Sequence, residues 1–266
     1  NSDNMKKIFV IMYCIVSLLL ISSCEKEESA PEFEDIPVIE AYLHAGKNFE
    51  LKVSRQIPFL SEPAFSDDDL SQLSISVNTQ TKNYQLVSVG NGVYKSETLI
   101  IDSNSEYKVT FLYNNKNVEA LTKIPSKPSG LNTSSNEVTI ETGTFPSVMP
   151  EPIVINWQNE DNSYYLILVE NIESELELIN ENSKGGRTFR NEPTQTNNYQ
   201  INSRTFSYVG THRIILYHLN PDYAKLFDNS GNSSQNLTNP NSAIQNGFGI
   251  FTGLNSDTLY LEVKKK

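Results

Sequence analysis

The chain has 266 residues, with 21 Lys and Arg against 32 Asp and Glu, giving a formal net charge of −11. That balance excludes a nucleic-acid binder that works by clustered Lys and Arg neutralising phosphates. Thirteen Tyr and twelve Phe exclude a chain disordered throughout, and the length allows one or two domains, each with its own core.

The amino end carries the first signal. Met5-Lys6-Lys7 is basic, and residues 8–21 form a mostly apolar run. A helix crossing the hydrocarbon core needs roughly twenty apolar residues, so this shorter run reads as a secretory signal peptide. Residues 1–23 are then removed, and residues 1–4 are an upstream extension. The run ends in Leu20-Ile21-Ser22-Ser23-Cys24, which resembles a bacterial lipobox. That chemistry needs a thiol, because a diacylglyceryl group goes onto sulfur before cleavage on the amino side of the cysteine. Two or more acyl chains anchor a protein stably, at about 0.8 kcal/mol per buried CH₂. The competing reading is an ordinary signal-peptidase site with Cys24 left free. Cys14 lies in the segment to be removed, so the processed chain keeps one cysteine and has no disulfide or thiolate metal cluster.

Glu25-Lys26-Glu27-Glu28 follows at once. Lys26 with Glu27 and Glu28 resembles the export signal of Bacteroidota lipoproteins, which implies an outer leaflet facing the cell exterior. The alternative is a solvated acidic spacer on a protein facing the periplasm. Residues 24–36 as a whole read as a lipidated acidic tether without a fold of its own.

From Pro37 the hydrophobic period is two. Phe49, Leu51 and Val53 alternate with polar neighbours, as do Leu73, Ile75 and Val77, and residues 107–113. Gly90-Asn91-Gly92 supplies a hairpin turn between apolar runs, and Asn114-Asn115-Lys116-Asn117 predicts a second one. Residues 37–126 therefore read as an antiparallel β-sandwich. Within it, residues 57–70 form a long loop of the kind that carries binding surfaces. Ile124-Pro125-Ser126-Lys127-Pro128-Ser129-Gly130 punctuates the chain. Residues 131–266 then predict a second, fibronectin-III-like β domain with long insertions. Its strands are 138–140, 153–157, 164–169, 205–208, 212–218 and 259–263, and residues 174–199 read as an inserted loop. Trp157 ends a strand ahead of an acidic turn and is assigned to the core. Asn220-Pro221-Asp222 predicts a short helix over 221–227, with Asn220 as its cap. The expected fold is thus all-β: two tandem Ig/fibronectin-III-like sandwiches with one short helix near the C-terminus.

Several runs together carry a family resemblance. They are the lipobox, Asn91-Gly92-Val93-Tyr94-Lys95-Ser96, Ala120-Leu121-Thr122-Lys123-Ile124-Pro125, and Asn239-Pro240 followed by the residues 244–253. The chain resembles a family of Bacteroidota outer-membrane lipoproteins of unknown function, often encoded beside TonB-dependent receptors. The resemblance implies an all-β exported lipoprotein with such a receptor as partner, and it supplies no catalytic residues.

Candidate chemistry is sparse. His212 and His218 share one strand face but stand roughly 20 Å apart at ~3.3 Å per residue, too far to share a metal. His44 stands alone. No nucleophile elbow accompanies the many Ser and Asp residues. Asp67-Asp68-Asp69 offers oxygens to a hard cation such as Ca²⁺, or is simply a solvated loop. The run 228–232 lacks the acidic positions of a calcium loop. Gly247-Phe248-Gly249 is not in the strand–turn–helix order of a phosphate cradle and marks a tight turn or a close backbone approach. Asp257-Thr258-Leu259 matches a loose O-glycosylation pattern. No cofactor is expected. The expected function is non-enzymatic: a surface-exposed accessory or ligand-capture subunit of a TonB-dependent transporter, bound to the bilayer through Cys24. The alternative is an adhesion or scaffold module that binds matrix or protein. Replacing Cys24 by Ser is expected to leave a soluble or uncleaved precursor, and unchanged membrane fractionation of that variant would refute lipidation.

Overall fold

The computed structural model describes residues 34–56, 69–142, 150–181, 185–227 and 243–266. The lipobox, Cys24, Lys26, Glu27, Glu28, Asp67, Asp68 and the run 228–232 lie outside the described residues. The rest is mostly β, with one short helix and several sheets.

The first half follows the alternation. Strands β1 (Pro37–His44) and β2 (Asn48–Arg55) bury every second residue, among them Ile39, Ala41, Leu43, Phe49, Leu51 and Val53. Short strands β3 (Ser76–Asn78) and β4 (Asn83–Gln85) come next. Strand β5 (Val87–Gly90) then turns through Asn91 and Gly92 into β6 (Val93–Ile100). Both turn residues have positive φ, 52° and 69°, which suits a two-residue hairpin to the strand twist. The same chemistry joins β7 (Glu106–Tyr113) to β8 (Lys116–Lys123) through Asn114 and Asn115, at φ 46° and 60°. The apolar run 84–89 is one stretch in sequence but two strands in space. It breaks at the buried Leu86, so that β4 joins one sheet and β5 another.

In the second half, β9 (Asn132–Thr133), β11 (Ile153–Asn156) and β14 (Asn198–Ile201) form a three-stranded sheet. Strands β10 (Glu137–Ile140), β12 (Tyr164–Asn171), β13 (Thr188–Arg190), β15 (Gly210–Leu219) and β16 (Phe248–Lys265) belong to the large sheet. That sheet has nine strands in the order β13-β12-β15-β16-β1-β2-β6-β5, with β10 beside β16. The four-stranded sheet of the first half, β4-β3-β7-β8, shares one hydrophobic cluster with β1, β2 and β6. Strands β11 and β14 share a second cluster with β10, β12, β15 and β16. Fully burying a large apolar side chain is worth roughly 1.5–3 kcal/mol, so these two clusters supply the main stabilising term.

The sequence boundary at 124–130 falls between the two clusters, yet the large sheet runs through both. The cause is β16. The closing strand expected over 259–263 is 18 residues long. It pairs in parallel with β1 from Phe248 to Leu254 and antiparallel with β15 from Leu254 to Val263. Leu254 stands opposite His44 on one side and Leu219 on the other.

Four other expectations change. The polar stretch 174–199 contains β13 and the start of β14, short edge strands too polar to show a period. Residues 205–208 are not a strand: Ser203–Thr205 makes a 3₁₀ turn, and only Tyr208 bridges, to Leu178. Helix α1 (Pro221–Ala224), continued by a 3₁₀ turn to Phe227, forms where expected. Asn220 makes no side-chain cap, however. Its amide donates instead to Thr122 Oγ1 at 3.0 Å and the Lys123 carbonyl at 2.8 Å, tying α1 to β8. Asp35, expected in the tether, is also held: the Tyr113 hydroxyl donates to its carboxylate at 2.8 Å, and Arg55 lies 3.6 Å from it.

Gly249 shows how closely β1 and β16 meet. Its φ is +107°, and a Cβ there would collide with the Ile39 carbonyl oxygen. This is the close backbone approach read from Gly247-Phe248-Gly249. Gly249→Ala is expected to destabilise the protein by about 2 kcal/mol or more, through strain at positive φ and loss of the β1–β16 approach. A chemical-denaturation midpoint equal to the parent's would contradict the parallel pairing.

Candidate functional site

Alternation along the large sheet sends one set of side chains into the two clusters and the other set to the opposite face, which the two smaller sheets do not cover. On a strand whose outward face meets water, the outward positions should be polar. Here they are not. Strand β12 buries Tyr165, Ile167 and Val169 inward, and its outward Leu166 is also buried. Leu166, Leu219 and Leu254 form a third apolar cluster, with Tyr164, Leu168, Tyr217, Tyr223 and Phe227 packed against it.

A cleft of about 360 Å³ opens over this cluster. Its floor is the leucine row where β12, β15 and β16 lie side by side, at the seam marked by Leu254. Its walls are aromatic. Tyr42 on β1 meets Tyr223 on α1 edge-on, with centroids 5.7 Å apart and planes at 87°. His44 meets Tyr217 at 6.0 Å and 89°. Arg190 on β13 closes one end, its guanidinium 5.0 Å from the centre of the Phe227 ring. Helix α1 is fixed on this face by Thr252, whose hydroxyl donates to Asp222 Oδ1 at 3.2 Å.

The polar groups of the cleft divide into occupied and unoccupied. His44 is occupied: Nδ1 is 2.8 Å from the Ala45 carbonyl and so carries the proton, and Nε2 accepts from Ser256 Oγ at 3.0 Å. Burial is the leading cause that raises the phenols of Tyr42 and Tyr217 above the ordinary tyrosine value. Glu40 adds to this at Tyr42, while the Arg213 guanidinium works against it at Tyr217. Both phenols are therefore protonated donors at neutral pH. No side chain or backbone group among the described residues hydrogen-bonds the hydroxyls of Tyr42, Tyr217 or Tyr223, and no carboxylate pairs with Arg190. A dry floor with a few convergent, unused polar groups is the composition of a small-molecule site.

The histidines singled out in the sequence do not converge. His44 lines the cleft, whereas His212 and His218 point into the second core. His218 stacks on Tyr165 at 4.8 Å and hydrogen-bonds the Ser126 carbonyl, and Trp157, 4% exposed, packs on the same tyrosine at 5.6 Å. His212 is 3% exposed, edge-on to Phe206, with Nδ1 2.9 Å from the Gly210 carbonyl. Among the described residues no group of three or more His, Cys, Asp or Glu is placed to hold a metal ion. Thr258 lies within β16, opposite Ile215, and its N–H donates to Asp257 Oδ1. The residues sequence reasoning missed are Tyr42, Tyr217, Tyr223 and Arg190. The available signal was the unbroken apolar run 164–169, too apolar for a strand wet on one side.

These features define a class: an all-β protein whose largest sheet carries a ligand-sized aromatic cleft on the face left free by its smaller sheets. Residues 25–259 match the family described as a domain of unknown function (DUF4249), and the chain belongs to that family. No curated protein matches it.

His212 gives this region a pH dependence. Burial holds its pKa below the ordinary 6.5, against the opposing pull of the Gly210 carbonyl and of Glu262 and Glu173. The unfolded chain therefore takes up the proton first as pH falls. Stability is fully present above about pH 6.5 and is lost between there and the lower folded-state value. Denaturation midpoints measured from pH 7.5 to 5.5 are expected to fall, and His212→Gln is expected to flatten that slope. An unchanged slope in the variant would contradict a neutral buried imidazole.

Proposed function

We propose that this chain is an exported, lipid-anchored accessory protein that captures a small ligand for a TonB-dependent outer-membrane transporter without catalysing chemistry on it. The observation that carries the reading is the cleft, a dry leucine floor beneath phenol hydroxyls and an arginine that, among the described residues, have no hydrogen-bonding side chain or carboxylate as partner. A binding surface needs such groups accessible to a ligand rather than tied up within the fold. Export is supported by the basic start, short apolar run and Cys24, with the lipid bilayer as the partner of its acylated sulfur. Orientation to the cell exterior is supported by Lys26, Glu27 and Glu28. In the same reading each sandwich is an Ig/fibronectin-III-like module, and no cofactor takes part.

One observation favours the second reading, a surface scaffold or adhesion module. Strand β5 ends the large sheet, and Val87 and Val89 on it are 67% and 59% exposed. An open apolar edge is a template for strand addition by another protein. Purification of the native protein from detergent-solubilised outer membrane separates the two. A β-barrel receptor in stoichiometric amount is the expected companion. Recovery without any barrel, together with binding to matrix proteins that is lost when Val87 and Val89 become Lys, would replace capture by adhesion.

A further inference from the structure

We propose that the cleft between β1, β12, β15 and α1 takes a planar aromatic carboxylate, its ring over the leucine floor and its acid group on Arg190. This rests on the capture reading and adds to it the chemistry of the ligand.

The floor decides the body of the ligand. Leu166, Leu219 and Leu254 are 5%, 3% and 9% exposed, so they form a dry surface with no hydrogen-bonding groups of their own. A sugar or other polyol laid on it would lose water from hydroxyls that the floor cannot satisfy. The walls decide its shape. Two aromatic pairs, Tyr42 with Tyr223 and His44 with Tyr217, stand nearly perpendicular within each pair and border the same opening. Aromatic rings attract one another edge-to-face and offset, so a flat ring between these walls gains contacts that a flexible acyl chain of the same area does not. The volume, about 360 Å³, lies at the small end of ligand sites and suits one or two fused rings rather than a folded peptide.

Arg190 decides the charge. Of the other charged groups on this face, Glu170 accepts from Arg213 at 2.6 Å and Asp222 accepts from Thr252, while Glu40 stands exposed on β1, two positions from Tyr42 on the same strand face. Arg190 has only the face of Phe227 beneath it and no carboxylate among the described residues. It stands opposite Leu168 in the β12–β13 register, hence on the cleft side of the sheet. A guanidinium presents a planar fork that matches a carboxylate through two parallel hydrogen bonds. The phenols of Tyr42, Tyr217 and Tyr223 supply further donors toward the same acid or a ring substituent. His44, with both ring nitrogens already used, serves as wall.

The test is isothermal titration of the purified full-length protein with three probes. These are 2-naphthoate, the neutral 2-naphthalenemethanol with the same rings, and octanoate with the same charge and no ring. The expected result is one site for naphthoate, at least about tenfold tighter than either of the others. Arg190→Gln, a change at an exposed position, is expected to weaken naphthoate about tenfold or more and to leave the neutral compound and the melting temperature unchanged. If the alcohol binds as well as naphthoate and Arg190→Gln changes neither, the anionic ligand is ruled out while capture of an apolar ligand stands. If octanoate equals naphthoate, the aromatic body is ruled out. If none of the three binds, this inference and capture by the cleft fall together.

Discussion

The parallel pairing of β1 with the first half of β16 holds the two ends of the folded body together, and the arrangement of both cores depends on it. Val38 pairs with Phe248 and His44 with Leu254, so nearly the whole chain lies between the partners. From Leu254 onward the same strand turns its hydrogen bonds to β15, and its last residues also pair with β10. Removing β16 would leave β1 and β15 with open edges inside what is now a continuous sheet. The closure entropy of such a distant contact grows only slowly with chain length, so the pairing costs little more in stability than a nearer one. It does cost time, because long-range strand pairing waits on the rest of the chain. Gly249, with its positive φ and its backbone against Ile39, is the point at which this closure becomes sterically specific.

The cleft follows from that seam. Where β1, β16 and β15 run side by side, His44, Leu254 and Leu219 form one row across three strands, and the next row brings Tyr217 beside Ser256. The sheet is apolar on both faces here, which in water requires a cover. Helix α1 covers part of the outer face through Tyr223 and Phe227, and the cleft is the part left over. The positioning is firm because the start of α1 is tied twice, by Asn220 to β8 and by Asp222 to Thr252 on β16. The side chains of the cleft thus stand on strands and on a pinned helix, which preserves their geometry better than a free loop would.

The match of the chain to a family of unknown function leaves chemistry as the guide to its activity. The second core offers none: its histidines and tryptophan are packed, and Asn171, fully buried, uses its amide to satisfy the Val209 carbonyl. On the opposite face, Tyr42, Tyr217, Tyr223 and Arg190 border the cleft with polar groups that no described residue hydrogen-bonds. One sheet face is thus given over to packing, and the other carries the cleft.

What the sequence determined by itself was local. Period-two alternation placed β2 and β7, since inward and outward positions differ by a single residue step, and apolar runs placed β12 and β15. Paired Asn and Asn-Gly turns fixed two hairpins, because positive φ at adjacent positions is tolerated by few residue types. Pro221 with its neighbours marked the helix. Tertiary structure decided everything that depends on a distant partner. The length of β16 was hidden because its first half contains glycines and polar residues that only neighbouring strands on both sides make extended. Strands β13 and β14 were hidden because three or four residues are too few to carry a period. In the cleft, Tyr42 and His44 stand at outward positions of β1, but nothing in their own segment told that Leu254, Tyr217 and Arg190 would arrive beside them. Backbone hydrogen bonds are alike at every residue, so a strand's own residues specify its faces, while its neighbours are chosen by how the whole chain buries its apolar surface.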